Sequence, residues 1–240
     1  MIRIYQNNDF SHGALIHLDE RASHHLSRVL RVRKGDSIIL FNGRDEFLAT
    51  IKEIRKKEVI VQIDRFEKKH IESNVSITLA QGLARGEKMD FIIQKAVELG
   101  VNRIVPLMTE HSNVRLDQER SDKRLSHWQS VIISACEQSG CIQLPEIVLP
   151  MSLIKWLPEN KAELSLVLTP HSGKKQILST MALPNSICIL IGPEGGLSEA
   201  EIQFAVDAGF IEWNLGSRIL RTETAGIVGI SILQYWAQEM

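Results

Sequence analysis

The run Ile187-Cys188-Ile189-Leu190-Ile191 passes directly into Gly192-Pro193-Glu194-Gly195-Gly196, and Ser198 with Glu201 then opens a helix over 198–208. A short apolar run stopped by a Gly/Pro turn reads as a buried strand, and Ser followed three residues later by Glu is a capping box. The pattern recurs a few residues later. The apolar run 211–215 enters Leu215-Gly216-Ser217-Arg218-Ile219-Leu220-Arg221-Thr222-Glu223-Thr224-Ala225, where a helix over 222–236 begins. Strand followed at once by helix is the unit of a mostly parallel α/β sheet, and ligands bind such sheets at the strand ends. Two Gly-rich loops of this kind suggest one pocket.

The alternation extends upstream. A strand over 75–80 leads to a helix over 87–99 with Met89, Ile92, Ile93, Ala96 and Val97 on one face, stopped by Gly100. A strand over 103–107 and a second amphipathic helix through Leu125, Trp128, Ile132, Ala135 and Cys136, ending at Gly140, follow, and then a further apolar run at 164–168. The N-terminal third has a different texture. Ser37-Ile38-Ile39-Leu40-Phe41 is stopped by Asn42-Gly43, a hairpin signal, and returns through 46–51. Residues 58–64 alternate with period two, and Ala22, Leu26, Val29 and Leu30 place a helix over 22–32. Several strands and one short helix suggest a small barrel over 1–70, joined by a polar linker to an α/β domain over 75–240. There is no internal repeat.

Charge is uneven between these halves. Residues 1–70 hold 14 Lys/Arg against 10 Asp/Glu, and the other 170 hold 14 against 19, for a net charge of −1. A basic module of this kind suits phosphate backbones, although charge alone is equally consistent with a solvated cationic surface. No apolar run spans a bilayer, and the first residues lack a signal-peptide core. The three cysteines, Cys136, Cys141 and Cys188, have no C-x-x-C spacing, so neither a disulfide framework nor a zinc site is expected, and a cytoplasmic location fits. The Gly-rich turn is neither a dinucleotide fingerprint nor a phosphate loop.

Gly at the turn lets a ligand reach backbone N–H and C=O groups, which suits a neutral adenine edge or an amino-acid head group. Arg221, beside that turn and just before an apolar helix, could hold an anion or developing negative charge. Thr222 reads as the helix N-cap, and Glu223 in the first turn favours the helix dipole.

Taken together, these motifs resemble the bacterial 16S rRNA uridine-N3 methyltransferases, of the SPOUT class of knotted RNA methyltransferases. Further matching stretches are Arg85-Gly86-Glu87-Lys88-Met89-Asp90, Gln94-Lys95-Ala96-Val97-Glu98-Leu99-Gly100, Ala135-Cys136-Glu137-Gln138-Ser139-Gly140, and His24-His25-Leu26-Ser27-Arg28-Val29-Leu30-Arg31 through Gly35-Asp36. The resemblance implies an N-terminal PUA-like RNA-binding barrel and a C-terminal parallel-sheet domain with a trefoil knot. It also implies a homodimer that uses S-adenosyl-L-methionine and no metal to methylate N3 of uridine 1498 (customary family numbering) of 16S rRNA in the 30S subunit.

Carried onto this sequence, the cofactor-binding residues are Leu168, Thr169, Pro170, Gly192, Pro193, Glu194, Gly195, Gly196, Leu215, Gly216, Ile219, Leu220 and Thr222. Arg221 would stabilise the uridinate. The general base stays open among Glu194, Glu137, His111 and His171, with Glu194 placed beside Arg221 in the catalytic set. Arg28, Arg31, Arg33 and Lys34, with Arg3 and His25 as neighbours, would hold RNA phosphates. The chain departs from the family at Cys141, where Arg is common, and the reading there is a half-buried structural thiol. A ribose 2′-O-methyltransferase is the nearest rival, but Gln81-Gly82-Leu83-Ala84-Arg85 does not supply the Asn-x-Gly-x-x-Arg motif of such enzymes. A non-enzymatic RNA-binding or ribosome-assembly factor is the second rival, and it would bind no cofactor.

Overall fold

The computed structural model describes residues 1–56, 58–69, 73–112, 118–170 and 181–239. The chain divides into two units, Met1–Glu72 with Cys136–Leu144, and Ser73–Ala135 with Pro145–Met240. The short segment after Ala135 that joins the N-terminal unit has no boundary signal in the sequence.

In the first unit β1 (Arg3–Tyr5), β2 (Leu15–His17), β3 (Ser37–Phe41), β4 (Asp45–Ile54) and β5 (Val59–Lys69) form one sheet in the order β1-β3-β4-β5-β2. The β3–β4 turn is set by Asn42, whose Oδ1 accepts the N–H groups of Arg44 and Asp45 at 3.1 and 2.9 Å. Three register shifts along β4–β5 bend the sheet around a core that includes Ile4, Leu26, Ile38, Leu40, Ala49, Ile51, Val61 and Ile63. The chain beyond β1 is tied to the start of α1 (Glu20–His24) through the buried Gln6. Its amide donates to Asp19 Oδ2 at 2.9 Å and accepts the Asp19 N–H at 3.1 Å.

The helix expected over 22–32 is shorter and starts earlier. Asp19 caps it by accepting the Ala22 N–H at 2.7 Å, and after His24 the chain widens into a π turn, His25–Val29. The Leu30 N–H reaches back five residues to His25 O at 3.0 Å, and Arg31 leaves at φ 52°. The wider turn rotates the apolar face. Ala22 and Leu26 stay buried, whereas Val29 and Leu30 are 60% and 41% exposed.

The second unit runs β6 (Ser76–Gly82), α2 (Glu87–Glu98), β7 (Arg103–Met108), α3 (Gln118–Ser139, whose last turn lies in the first unit), β8 (Glu146–Ile147), β9 (Met151–Ser152), α4 (Leu153–Trp156), β10 (Leu164–Leu168), β11 (Ser186–Ile191), α5 (Glu199–Asp207), β12 (Ile211–Trp213) and α6 (Thr222–Trp236). Its sheet has the order β12-β10-β11-β6-β7-β8, with β9 also on β7, and every pairing is parallel. Parallel sheets are covered on both faces, which is why these strands read as unbroken apolar runs. Leu153, Trp156, Leu157, Ala205 and Phe210 share one core with Ala80, Val105, Leu107, Val167, Cys188 and Leu190.

Helix α6 packs against α2 and β11. A Cβ at Gly229 would stand 2.6 Å from Ile189 Cδ1, so a larger residue there would have to displace the Ile189 side chain for α6 to pack this closely. The helix follows β12 at the sheet edge yet packs on β11, two strands inward. The chain thus doubles back past its own strands after β12.

Candidate active site

Three loops leave the C-terminal ends of the adjacent strands β12, β10 and β11 and enclose a cleft of about 880 Å³. All thirteen residues assigned to the cofactor from sequence line it, as do Arg221, Glu223, Arg218, Glu199, Trp213 and Lys88. Glycine serves close packing within the turn. A Cβ on Gly192 would lie 2.8 Å from Gly196 C and Leu197 N, and one on Gly195 would lie 2.9 Å from His111 Cβ. The Gly-rich turn therefore folds on itself and rests against the chain after β7.

The loops are joined by hydrogen bonds. Thr222 Oγ1 donates to Gly192 O at 2.6 Å and accepts from Gln81 Nε2 at 3.0 Å, while that same amide reaches Gly192 O at 3.3 Å. Asn214 donates through Nδ2 to Pro170 O at 3.0 Å and accepts the Gly216 N–H at 2.8 Å through Oδ1. Glu201, buried and part of the expected capping box, also accepts the Glu110 N–H at 2.8 Å. Thr222 is not the helix cap. That position is Arg221, with no side-chain capping bond, and the Thr222 hydroxyl is turned to the Gly-rich loop instead.

Glu194 is engaged as a clamp. Its Oε1 accepts the Arg85 N–H at 3.1 Å and lies 3.1 Å from Lys88 Nζ. Burial would raise its carboxyl, but its own and the Arg85 N–H groups and the Lys88 ammonium together hold it below the usual range. A carboxylate so satisfied is a weak proton acceptor, which argues against it as the base.

Glu137 is equally engaged. In the first unit its carboxylate receives the Tyr5 N–H at 3.0 Å and a two-pronged Arg21 at 2.9 and 3.3 Å. It does not line the cleft. His111 packs against the Gly-rich turn, its Nδ1 3.3 Å from Gly196 O, and does not line the cleft; His171 lies outside the described residues.

Of the residues assigned to RNA, Arg28, Arg31, Arg33 and Lys34 are exposed on the π turn and its exit, and His25 is half-buried. Arg3 is different. It is ion-paired with Glu46, donates to Cys141 O at 3.3 Å and stacks 4.8 Å over the Phe41 ring, so it holds the first unit together and is not free to bind phosphate. Cys141 is half-buried, its Sγ 3.1 Å from Gln143 O. A hydrogen bond with the Cys136 thiol, outweighing partial burial, pulls the Cys141 thiol down to about 7.

Sequence reasoning missed Gln81 and Asn214, the two amides that fasten the loops. Asn214 stands at the mouth of the loop motif, and the pairing of Gln81 with Thr222 across 141 residues has no local signature.

The comparisons agree with the geometry. The sequence model of the RNA methyltransferase domain matches residues 71–234, and that of the RNA methyltransferase PUA domain matches residues 18–64. Fold and matches define the class as RNA methyltransferases carrying a PUA domain. Ribosomal RNA small subunit methyltransferase E of Buchnera aphidicola subsp. Schizaphis graminum is 37% identical over 97% of this chain and 95% of its own. Its Bacillus subtilis counterpart is 31% identical over 88% of this chain and 86% of its own.

Among solved structures, the Neisseria gonorrhoeae ribosomal RNA small subunit methyltransferase E bound to S-adenosyl methionine is similar with a TM-score of 0.90 and 36% identity, covering 98% of this chain and 97% of that one. A Legionella pneumophila methyltransferase in complex with bound cofactor SAM gives a TM-score of 0.94 and 41% identity, again covering 98% and 97%. The chain belongs to the ribosomal RNA small subunit methyltransferase E family.

Proposed function

We propose that this protein transfers a methyl group from S-adenosylmethionine to N3 of uridine 1498 of 16S rRNA within the 30S subunit, acting as a cytoplasmic homodimer. The observation that carries this reading is the convergence of the three loops after β10, β11 and β12, with Arg221, on one cleft. The cleft fits the cofactor. It is apolar along Leu168, Ile191, Trp213 and Leu220 and offers backbone N–H and C=O groups along 192–196 and 215–216. S-adenosylmethionine, when bound, supplies a methyl group already activated on a sulfonium.

The chain's own residues must then align N3 and favour the uridinate. Arg221, exposed at the cleft, stabilises charge appearing on the uracil oxygens as the N3 proton leaves. Lys88 and the Arg85 N–H fix the Gly-rich turn through Glu194. Arg28, Arg31, Arg33 and Lys34 hold phosphate, while the folded RNA and the cleft select the base.

The homodimer is supported by the outer face of α6, where Ile232 and Tyr235 are 39% and 77% exposed beside the half-buried Ile227 and Trp236. A second copy of this chain is the occupant proposed for it, and light scattering at twice the 27.1 kDa chain mass is the expected result. No helix among the described residues is long and apolar enough to cross a membrane. Isothermal titration with S-adenosylmethionine tests the cofactor directly. Binding without metal or nucleotide is expected, and no binding would leave an RNA-binding factor as the better reading.

A further inference from the structure

Among the described residues, one carboxylate of the cleft has an oxygen without a hydrogen-bond partner. Glu223, in the first turn of α6, lines the cleft, and its Oε2 is shielded from water with no hydrogen-bond partner among the described residues. The other acids there differ. Glu194 is engaged by Arg85 and Lys88, and Glu199 is exposed at the start of α5. A buried acceptor without a donor is destabilising, and more so when charged. The N-terminal dipole of α6 favours a negative charge at this position, but no first-turn N–H bonds the carboxylate. A donor brought by the bound molecules would remove the deficit.

We infer that Glu223 is the general base of the transfer, accepting the N3 proton of the target uracil; this rests on the reading in the preceding section. The juxtaposition with Arg221, two residues earlier on the same cleft, divides the work. The N3–H bond breaks toward a Glu223 oxygen, and the freed lone pair on N3 forms the new N–C bond to the methyl carbon. The C–S pair stays on sulfur as a neutral thioether, and Arg221 balances the transient charge on the uracil oxygens. The carboxylic acid then loses its proton to water once product leaves. Glu223 is unencumbered, which distinguishes it from Glu194 and Glu137.

Glu223→Gln keeps the shape and removes the basicity. The measurements are thermal melting, cofactor affinity by titration calorimetry, affinity for unmodified 30S subunits, and single-turnover transfer at saturation from pH 6 to 9.5. Unchanged melting and both affinities within about threefold are expected, with a rate lowered by roughly 10²–10⁴. The residual rate should climb about tenfold per pH unit as solvent takes over the proton, while the wild type stays flat.

Cofactor affinity falling more than tenfold with the saturated rate retained would make Glu223 a cofactor anchor and overturn the assignment. So would a wild-type rate and profile, or a loss of melting temperature that accounts for the lost rate. If Glu223→Gln folds poorly, Glu223→Asp decides. A lowered rate with a flat pH profile supports the base, and an unchanged rate overturns it. Failure of the wild type itself to methylate any uracil N3 would instead overturn the underlying function.

Discussion

The Thr222 hydroxyl lies 2.6 Å from Gly192 O and donates to it, while Gln81 Nε2 meets the same hydroxyl at 3.0 Å. One side chain thus fastens the loop after β11 to the start of α6 and to the end of β6. The cleft needs such a fastening, because its walls come from loops far apart in the chain and its shape depends on their register.

Thr222→Val, which keeps the volume, should remove one hydrogen bond from Gly192 O and one from the Gln81 amide, which keep each other at 3.3 Å. A loss of about 0.5–1.5 kcal/mol in urea unfolding is expected for each bond lost, together with weaker S-adenosylmethionine binding. Thr222→Ser should restore most of both. Full cofactor affinity in the valine variant would show that the loops hold their register without the bond.

Gly195 carries a prediction about packing. From sequence, a side chain there would be expected to intrude on the cofactor or strain the turn. The structure directs the Cβ at His111 Cβ, 2.9 Å away. Gly195→Val should displace the chain at His111 and weaken cofactor binding indirectly, and the added change His111→Gly should recover part of it. Strictly additive losses, read by calorimetry, would contradict the contact.

Most of the second unit was legible because a parallel sheet imposes long apolar runs and each helix carries its own punctuation. The β10 bounds and α6 (Thr222–Trp236) coincide with the reading, and the Ser198–Glu201 capping box is present. What escaped was too short to show a period, as with β1, β2, β8, β9 and α4, or depended on a backbone choice, as with the π turn at His25–Val29. The cleft loops were visible as motifs. Their fastenings were not, since Gln81–Thr222 and Asn214–Pro170 are long-range pairs. Nor could sequence separate a free carboxylate from an engaged one, the distinction on which the proposal of Glu223 rests; from sequence the base stayed open among Glu194, Glu137, His111 and His171.

Arg221→Ala separates chemistry from binding. Arg221 is exposed on the cleft, whereas Arg28 and Arg31 are exposed on the π turn and its exit in the other unit. The single change should lower saturated transfer roughly 10²–10³-fold with most 30S affinity kept. Changing Arg28 and Arg31 together should weaken 30S binding and flatten its salt dependence by up to about two phosphate contacts. A saturated rate untouched by Arg221→Ala, with affinity lost, would make it an RNA anchor.

Cys141 should be the reactive thiol of the chain. Its hydrogen bond with Cys136 lowers it to about 7, whereas Cys136 is raised chiefly by that same bond and Cys188 by deep burial. The thiolate gains as pH rises, so iodoacetamide should label Cys141 at lower pH than it labels an ordinary exposed thiol. Cys136 and Cys188 should stay unlabelled until the protein unfolds. Equal labelling of all three in the native protein, read by peptide mass spectrometry, would contradict this environment.

The most direct test is transfer from S-adenosylmethionine to purified 30S subunits lacking the modification, followed by reverse transcription across the 16S rRNA. Methylation at N3 blocks the pairing edge of uracil, so the account predicts one new enzyme-dependent stop at uridine 1498. It also predicts a nucleoside digest containing N3-methyluridine. Methyl incorporation without a stop and with a 2′-O-methylated nucleoside, or no incorporation at all, would contradict it.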